Sequence, residues 1–393
     1  MKVVTCHAGA RDGYNLSVAL HQMGVLEKLV TDFYTPSLIR QWLPQRHNVN
    51  LPSSKTISLW STYIIQKYFT KDFLFTDKIL SNKAFNVARK TRSNLFLTSY
   101  TAFEAFERAI KEEETLSRLL FQIHPHPLTV KRILTDELKY SPEAEFSINA
   151  EHEMAVKTEM LSRLDKESHM ATNIVVASQF TKDSLIENGI RSEKVLVIPY
   201  GVNTNNFPAK LDYDQNTRPL KILFVGQMVQ RKGLSYLFQA LKSFENKNFE
   251  LTIVGRGRFD EKLLDKYRPF VEFNVVKSLS HQALIDCFHN HDVMVLPSLI
   301  EGFGHVILEA MSSGLPVICT TNTAGPDLFL SDNEGFIIPI RDSDAIVASL
   351  DQLLTDKSKL KSMGRSAAAT ARIFTWERHI KGIQDFYLNN SNQ

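Results

Sequence analysis

The sequence predicts an α/β protein made of two doubly wound domains that face a central cleft. Three observations predict this fold. The chain has 393 residues, which is too long for one ordinary hydrophobic core. Its second half alternates short apolar runs with segments of helical spacing, as parallel β–α–β units do. Near residues 205–218 a Gly-, Asn- and Pro-rich run gives way to the polar stretch DYDQNTR, and this composition shift predicts a domain boundary.

The predicted N-terminal domain covers residues 1–208, and the predicted C-terminal domain covers residues 209–375. The tail 376–393 carries apolar residues on one face of a helix, so we expect it to pack as a helix that returns to the first domain. In sheets of this kind ligands bind beyond the carboxyl ends of the strands. Two such sheets would therefore share one binding cleft.

In the second half, the first predicted strand, LKILFVG (220–226), is a nearly continuous apolar run that ends at a glycine, as expected of a buried parallel strand. The other predicted strands are FELTIV (249–254), VEFNVV (271–276), DVMVLPS (292–298) and PVICT (316–320). The first half shows the same alternation of strands and helices less regularly. Its strand candidates are KVVTCHAG (2–9), NLFLTSY (94–100), RLLFQIH (118–124), NIVVASQ (173–179) and VLVIP (195–199).

Composition excludes several classes of protein. A formal net charge of +3 is too small to indicate nucleic-acid binding. Three widely spaced cysteines predict buried free thiols in a reducing compartment, and no histidine spacing resembles a metal site. The sequence shows neither an apolar signal core nor a run of about 18 apolar residues, so we expect a cytoplasmic protein without a membrane span.

The stretch LPSLIEGFGHVILEAMSSGLPVICT (296–320) carries the strongest functional signal. Gly302 and Gly304 allow close approach of a ligand, and a helix that starts near His305 would direct free N–H groups towards phosphate. Glu309 would lie about one turn into that helix, roughly 6 Å along its axis, where a carboxylate can accept hydrogen bonds from the hydroxyls of a ribose. Glu301, on the other side of the phosphates, would bind hydroxyls of a sugar.

Basic residues follow another predicted strand. Arg231 and Lys232, after 220–226, supply the cations that a diphosphate needs. The loop Gly9–Gly13 follows the first strand, and the run HPHP (124–127) follows the strand 118–123. Because all these segments follow parallel strands, we expect them to converge on one rim.

Four further segments, together with the Glu301–Glu309 spacing, resemble the family 4 retaining glycosyltransferases, also called glycosyl transferases group 1, which have the GT-B fold of two Rossmann-like domains. The segments are VLVIPYGVNTNNF, ILFVGQMVQRKGLSYLFQAL, LTIVGRG and EGFIIPIRDSDAIVASLDQLL, and they occur in the order typical of that family. The resemblance is specific over roughly residues 173–387 and only architectural before them.

The resemblance implies a role for each matching residue. Glu301 would hold the donor sugar, Glu309 the ribose, and Lys232 with Arg231 the leaving diphosphate. The backbone of Gly302, Phe303, Gly304 and His305 would face the sugar and phosphates, and the Gly9–Gly13 loop would close over the cleft. His124 would approach the reacting centre, with His126 as the alternative because the repeated HPHP leaves the alignment open by two residues.

The resemblance also implies a metal-independent reaction without a cofactor, and the chain departs from the family pattern at two places. After Gly226 many members have Arg, whereas this chain has the uncharged Gln227, and NTAGPDLF (322–329) replaces a segment that usually contains two glycines and a glutamate. The expected substrate is a nucleotide diphosphate sugar, with UDP favoured and GDP as the alternative. The acceptor would be a glycan, a lipid or a small molecule, as in polysaccharide or glycoconjugate biosynthesis.

Other functions stay open at this point. Gln227 favours a non-catalytic nucleotide-sugar-binding subunit, whereas the retained Glu301, Glu309 and Lys232 oppose it. An epimerase or a phosphorylase of the same fold is a further alternative, although no motif indicates a pyridoxal lysine. A nicotinamide-dependent dehydrogenase is disfavoured, because HAGARDG lacks the G-x-G-x-x-G pattern.

The segment 58–75, at the start of the region 58–92, is rich in aromatic residues and includes Lys67 and Lys71. Residues 50–92 contain eight Lys or Arg against two Asp. This pattern fits peripheral contact with the inner face of a membrane or an acceptor groove, and equally an ordinary helix with one buried face.

Overall fold

The computed structural model confirms the predicted fold class of two parallel sheets with helices on their faces. It describes residues 1–10, 12–36, 41, 43–69, 73–156, 158–213, 219–244, 248–257 and 260–391. Lys71 and residues 214–218 of the predicted boundary lie outside these described residues.

The first sheet has seven parallel strands in the order β3-β2-β1-β4-β5-β6-β7. Its strands are β1 (Val3–His7), β2 (Leu26–Thr31), β3 (Thr56–Ser58), β4 (Asn94–Thr98), β5 (Arg118–Gln122), β6 (Asn173–Val176) and β7 (Val195–Val197). The order reverses at β1, whose Val4 pairs with Lys28 of β2 on one side and with Leu95 of β4 on the other. Such a reversal opens a crevice at the carboxyl ends of the strands.

The second sheet has six parallel strands in the order β10-β9-β8-β11-β12-β13. Its strands are β8 (Leu220–Val225), β9 (Phe249–Val254), β10 (Phe273–Val276), β11 (Val293–Leu296), β12 (Val317–Thr320) and β13 (Gly335–Ile338). The reversal falls between β8 and β11, which are neighbours in the sheet. The loops that follow these two strands therefore lie side by side.

Helices connect successive strands and cover both faces of each sheet. The helices among the described residues are α1 (Asn15–Gln22), α2 (Trp60–Tyr68), α3 (Phe73–Thr91), α4 (Phe103–Lys111), α5 (Pro127–Tyr140), α6 (Glu145–Asn149), α7 (His152–Ala155), α8 (Thr158–Met170), α9 (Gln179–Glu187), α10 (Leu234–Ser243), α11 (Glu261–Tyr267), α12 (His281–Asn290), α13 (His305–Ser312), α14 (Gly325–Leu328), α15 (Ser343–Thr355), α16 (Lys357–Ala371) and α17 (Trp376–Asn390). Within the part of the chain that the structure describes, none of them is long and apolar enough to cross a membrane.

Helix α17 follows the second domain in sequence but packs on the first. The Tyr387 hydroxyl donates to the carbonyl of Met1 at 2.9 Å, and the Gln384 side chain donates to the carbonyl of Ala19 in α1 at 3.1 Å. The ring of Phe386 lies 5.6 Å from that of Phe96 in β4. The helix therefore joins the two domains a second time.

Glu137 of α5 lies at the interface between the domains. Its buried carboxylate accepts hydrogen bonds from Gln230 Nε2 at 2.8 Å, from the Tyr236 hydroxyl at 2.9 Å and from Arg341 Nε at 2.6 Å. All three donors belong to the second domain. Because one buried carboxylate satisfies three donors, this contact fixes the spacing of the domains on one side of the cleft.

Candidate active site

The loops after β8 and β11 bring three predicted residues together. The Lys232 ammonium contacts the carboxylate of Glu301, and Arg231 Nη1 lies 3.8 Å from the same carboxylate. The Ser298 hydroxyl donates to Glu301 at 3.0 Å. The carboxylate therefore lies between two cations and a hydroxyl.

The charged groups of this cluster shift one another's pKa values. Burial by itself would raise the pKa of Glu301, but the Lys232 ammonium and the Arg231 guanidinium hold it below its ordinary value. Burial lowers the pKa of Lys232, and Glu301 offsets this only in part. Glu301 is therefore ionised at neutral pH, and its charge is balanced by cations that are also suited to bind phosphate.

Arg231 also reaches the first domain. Its Nε donates to the carboxylate of Glu151 at 3.0 Å, and its Nη1 donates to the carbonyl of Ile300 at 3.0 Å. Glu151 lies between α6 and α7, and sequence reasoning missed it because no motif marks that connection. The contact shows that a cation of the second domain is oriented by a carboxylate of the first.

Helix α13 begins at His305 with an uncapped N-terminus. Gly304 precedes it with a φ of 84°, a left-handed conformation that glycine adopts without strain, and no side chain among the described residues caps the first turn. Phe303 is buried, with its ring 5.2 Å from that of Tyr200. The ring of His305 stacks on that of Tyr200, with 4.7 Å between the ring centroids. This helix end can accept an anion, as the sequence predicts.

Glu309 lies one turn into α13, partly buried, and no hydrogen-bond or ionic partner for its carboxylate occurs among the described residues. Burial raises its pKa to about 7. A carboxylate that loses water without gaining a donor is destabilising in the free protein. Hydroxyl groups of a bound ligand would supply the missing donors.

Gly302 brings the backbone of the second domain close to that of the first. A Cβ atom on this residue would lie 2.4 Å from the carbonyl oxygen of Ile123, just after β5. The carbonyl of Gly302 also accepts from the Ser178 hydroxyl at 2.7 Å and from the Thr181 hydroxyl at 3.2 Å. The loop that carries Glu301 is thus held against the carboxyl ends of β5 and β6.

The two candidate histidines occupy different environments. His124 follows Ile123 directly, is partly exposed, and its ring meets that of Tyr100 edge-on at 6.0 Å. His126 is fully buried, accepts from the backbone of Leu128 at the start of α5 and lies 3.2 Å from Asp165. Burial lowers the pKa of His126 to about 4. Its position is that of a helix cap, so His124 is the better candidate for contact with a ligand.

The loop Gly9–Gly13 is organised by Asp12; Arg11 lies outside the described residues. The Asp12 carboxylate accepts from the backbone N–H groups of Tyr14 at 2.9 Å and Leu16 at 3.1 Å, and it lies 3.2 Å from His7. Because an aspartate already occupies the N-terminus of α1, we expect this loop to contribute shape to the cleft rather than an anion site.

Gln227 is exposed beside the cation cluster, with its side-chain oxygen 3.5 Å from Arg231 Nη2. It directly follows Gly226, whose N–H donates to the carbonyl of Val254 in β9 at 2.9 Å. A cavity of about 760 Å³ opens nearby, beyond the ends of β8, β9 and β10. Its walls include Met228, Arg256 and Lys277, and helix α6 of the first domain closes one side with Glu145 and Phe146.

Sequence reasoning did not assign Lys277 to this rim, because no motif marks the end of β10. The cavity is large enough for a nucleoside. Its walls carry charges of both signs, with basic Arg256, Lys262 and Lys277 and acidic Glu143, Glu145, Asp260 and Glu261. Among the described residues no cluster of three or more histidine, cysteine or acidic side chains has the geometry to hold a metal ion.

Comparison with known proteins is consistent with this arrangement. Residues 209–370 match the family described as glycosyl transferases group 1. Among curated relatives, the capsular polysaccharide biosynthesis glycosyltransferase CapM of Staphylococcus aureus is 28% identical over 213 residues, which cover 50% of this chain and 56% of CapM. A glycogen synthase of Mycobacterium tuberculosis is 27% identical over 226 residues, which cover 55% of this chain and 54% of that enzyme. The chain therefore spans about half the length of the curated relatives it matches.

Solved structures match over the whole chain. The sucrose-phosphate synthase of Thermosynechococcus elongatus superposes with a TM-score of 0.71 at 18% identity, covering 99% of both chains. HepE of Anabaena, solved in complex with UDP, superposes with a TM-score of 0.66 at 15% identity, covering 99% of this chain and 100% of HepE. These similarities show that the chain has the GT-B fold.

Proposed function

We propose that this chain is a retaining glycosyltransferase that moves a sugar from a nucleotide diphosphate sugar to an acceptor without a metal ion. One observation carries the proposal. The carboxylate of Glu309 has no partner among the described residues, and it lies one turn behind an uncapped helix N-terminus. The loop that leads into this helix carries Glu301, which pairs with Lys232. A ribose followed by a diphosphate and a sugar offers the complementary groups in that order.

The proposed reaction follows from where charge develops. As the bond between sugar and phosphate breaks, negative charge grows on the leaving diphosphate. Lys232, Arg231 and the N–H groups of α13 lie where they can stabilise that charge without reorganising. Glu301 would orient the sugar through its hydroxyls, and a diphosphate oxygen would take the proton that the acceptor hydroxyl loses. The acceptor oxygen would then bond to the same face of the sugar carbon that the diphosphate leaves.

We favour a UDP-sugar as the first donor to test, with a GDP-sugar as the alternative. The structural neighbour HepE has been solved with UDP and with UDP-glucose, which supports a uridine donor for a cleft of the same fold. Several curated relatives act in polysaccharide biosynthesis, and the first of them is a capsular polysaccharide enzyme. A glycan, lipid or small-molecule hydroxyl is accordingly the proposed acceptor.

A nucleotide-release assay tests the proposal, with UDP- and GDP-sugars offered in turn and with or without candidate acceptors. We expect release that rises with acceptor, that persists in EDTA and that collapses in Glu309→Ala and in Lys232→Ala. Lys381→Gln, at an exposed position of α17, is the matched control. The anomeric configuration of the product, read by NMR, tests retention. Donor binding without turnover under any acceptor would favour a non-catalytic subunit, and no binding of any nucleotide sugar would refute the site.

A further inference from the structure

Helix α2 presents an apolar face to solvent, which is the reverse of an ordinary surface helix. Trp60, Ile64 and Tyr68 are spaced four residues apart and so lie on one side of the helix. Their exposed fractions are 60%, 37% and 68%. Phe69, Phe73 and Phe75, at the end of α2 and the start of α3, extend the surface and are exposed to 81%, 55% and 44%. We call these six side chains the aromatic face.

The opposite side of α2 is attached to the first domain. Thr62 is buried, and the ring of Tyr63 stacks on that of Phe33 at 5.3 Å, with the guanidinium of Arg46 5.2 Å from the Tyr63 ring. The helix is therefore held in place by one side, and the aromatic face is the side left uncovered. Contiguous apolar surface of this kind marks an interaction site.

Two exposed lysines lie at the border of the aromatic face. Lys67 is exposed, lies 5.2 Å from the centre of the Tyr68 ring, and makes no ion pair with the described residues. Exposed Lys83, also without such a pair, borders a shallow groove that Phe75 helps to form. Lys78 pairs with Glu159 and Arg89 with Glu112, so the positive charge that borders the aromatic face rests on Lys67 and Lys83. The surface is thus apolar at its centre and cationic at its border.

We propose that the aromatic face docks on an anionic lipid membrane. Exposed tryptophan, tyrosine and phenylalanine rings enter the boundary between headgroups and acyl chains, and lysines extend from the same surface to anionic headgroups. Aromatic rings alone would suit a neutral membrane as well. The lysines beside them add a preference for an anionic membrane.

The aromatic face and the cleft lie along the same edge of the first sheet. Strand β3 ends at Ser58 and α2 begins at Trp60, so the helix starts at the carboxyl edge of the first sheet. That edge is the one that Gly302 contacts from the second domain, near Ile123. The aromatic face therefore begins at the same edge of the first sheet as the contact between the domains. The docking itself does not depend on the reaction proposed above.

Vesicle co-sedimentation of the full chain tests the proposal. Vesicles of phosphatidylcholine alone are compared with vesicles that also contain phosphatidylglycerol. We expect binding to the anionic vesicles and much weaker binding to the neutral ones. Removing two anchoring rings, in Trp60→Gln with Phe69→Gln, is expected to weaken binding by about tenfold for each ring. Leu211→Gln, which removes a side chain that is 93% exposed elsewhere, is the matched control and should bind like the wild type.

A second pair of variants isolates the charge. Lys67→Gln with Lys83→Gln should weaken binding to anionic vesicles about fivefold per lysine and leave binding to neutral vesicles unchanged. Lys131→Gln with Lys381→Gln removes two exposed lysines elsewhere and serves as the control. All these side chains are exposed, so thermal melting curves should match that of the wild type.

Three results would overturn the proposal. The wild type could fail to sediment with anionic vesicles, or it could bind neutral and anionic vesicles equally. It could also form a dimer in light scattering that the ring variants abolish, which would show that the aromatic face joins two copies of this chain instead.

Discussion

Glu309→Gln should make the free protein more stable while making its proposed ligand bind less tightly. The wild-type carboxyl has its pKa raised from 4.5 to about 7 by burial. The folded state therefore holds its proton to a higher pH than the unfolded state. The stability linked to this group is fully present below about pH 4.5 and is lost as pH rises through about 7. The amide of the variant has no such loss.

The size of the effect follows from the shift. A change from 4.5 to about 7 corresponds to about 3 kcal/mol, since each pKa unit is worth about 1.4 kcal/mol. Glu309 keeps partial contact with solvent, so the expected effect is smaller than this. We expect the difference in unfolding free energy between the variant and the wild type to grow by about 1 to 2 kcal/mol in favour of the variant between about pH 5 and about pH 8.

Urea unfolding of both proteins at the two pH values measures this difference. Asp351→Asn, at an exposed position of α15, controls for the general effect of removing one negative charge. Calorimetry with a UDP-sugar measures the effect on ligand binding. A diphosphate diester has no group that titrates near neutrality, so a change of affinity with pH in this range would come from the protein. Binding to the variant should be about tenfold weaker, since a hydrogen bond to a charged acceptor is replaced by one to a neutral amide.

The wild-type affinity should also fall as pH drops below about 7, because the carboxylate must lose its proton to accept from two hydroxyls. The affinity of the variant should not change over that range. Equal stability of the two proteins at both pH values would refute the reasoning about burial. Equal affinity would refute the assignment of Glu309 to the ribose.

Three further predictions concern the cleft and the interface between the domains. Glu137→Ala leaves Arg341 and Tyr236 without their buried acceptor and should cost about 3 kcal/mol in urea unfolding, whereas Glu159→Ala, which removes a glutamate from an exposed ion pair, should cost less than about 1 kcal/mol. Gly302→Ala forces the loop away from the carbonyl of Ile123 and should lower the kcat/KM of nucleotide release by about tenfold or more; wild-type turnover would show that this contact is dispensable. Lys232→Met should slow release by roughly a hundredfold to a thousandfold and leave the binding of free uridine unchanged, and a matching loss of uridine binding would show that the lysine shapes the site rather than stabilising charge.

The sequence predicts β8, β11 and β12 of the second sheet well because these strands are largely buried on both faces. β8, β11 and β12 are apolar runs followed or preceded by glycine and proline, and the structure has strands at these places. In the first sheet, β2 escapes prediction because Glu27 and Lys28 interrupt its apolar run. β3 escapes it because three residues at a sheet edge carry no periodic pattern.

The candidate site is predictable where loops follow neighbouring strands. Glu301 and Lys232 are far apart in sequence, but they follow β11 and β8, which pair in the sheet, so the topology alone brings them together. Glu151 was missed because it comes from the other domain, where no strand order fixes its partner. Asp12 was missed as a helix cap because the glycines beside it suggested a loop that binds a ligand.

Helix α17 imposes an order on the folding of the chain during synthesis. The surface of the first domain that includes Ala19 and Phe96 is covered by Gln384 and Phe386, which the ribosome adds only after the whole second domain. Until then the first sheet presents an uncovered apolar surface. A chain that stops at residue 375 would keep that surface open, so such a chain should aggregate or bind chaperones even though every strand of both sheets is present.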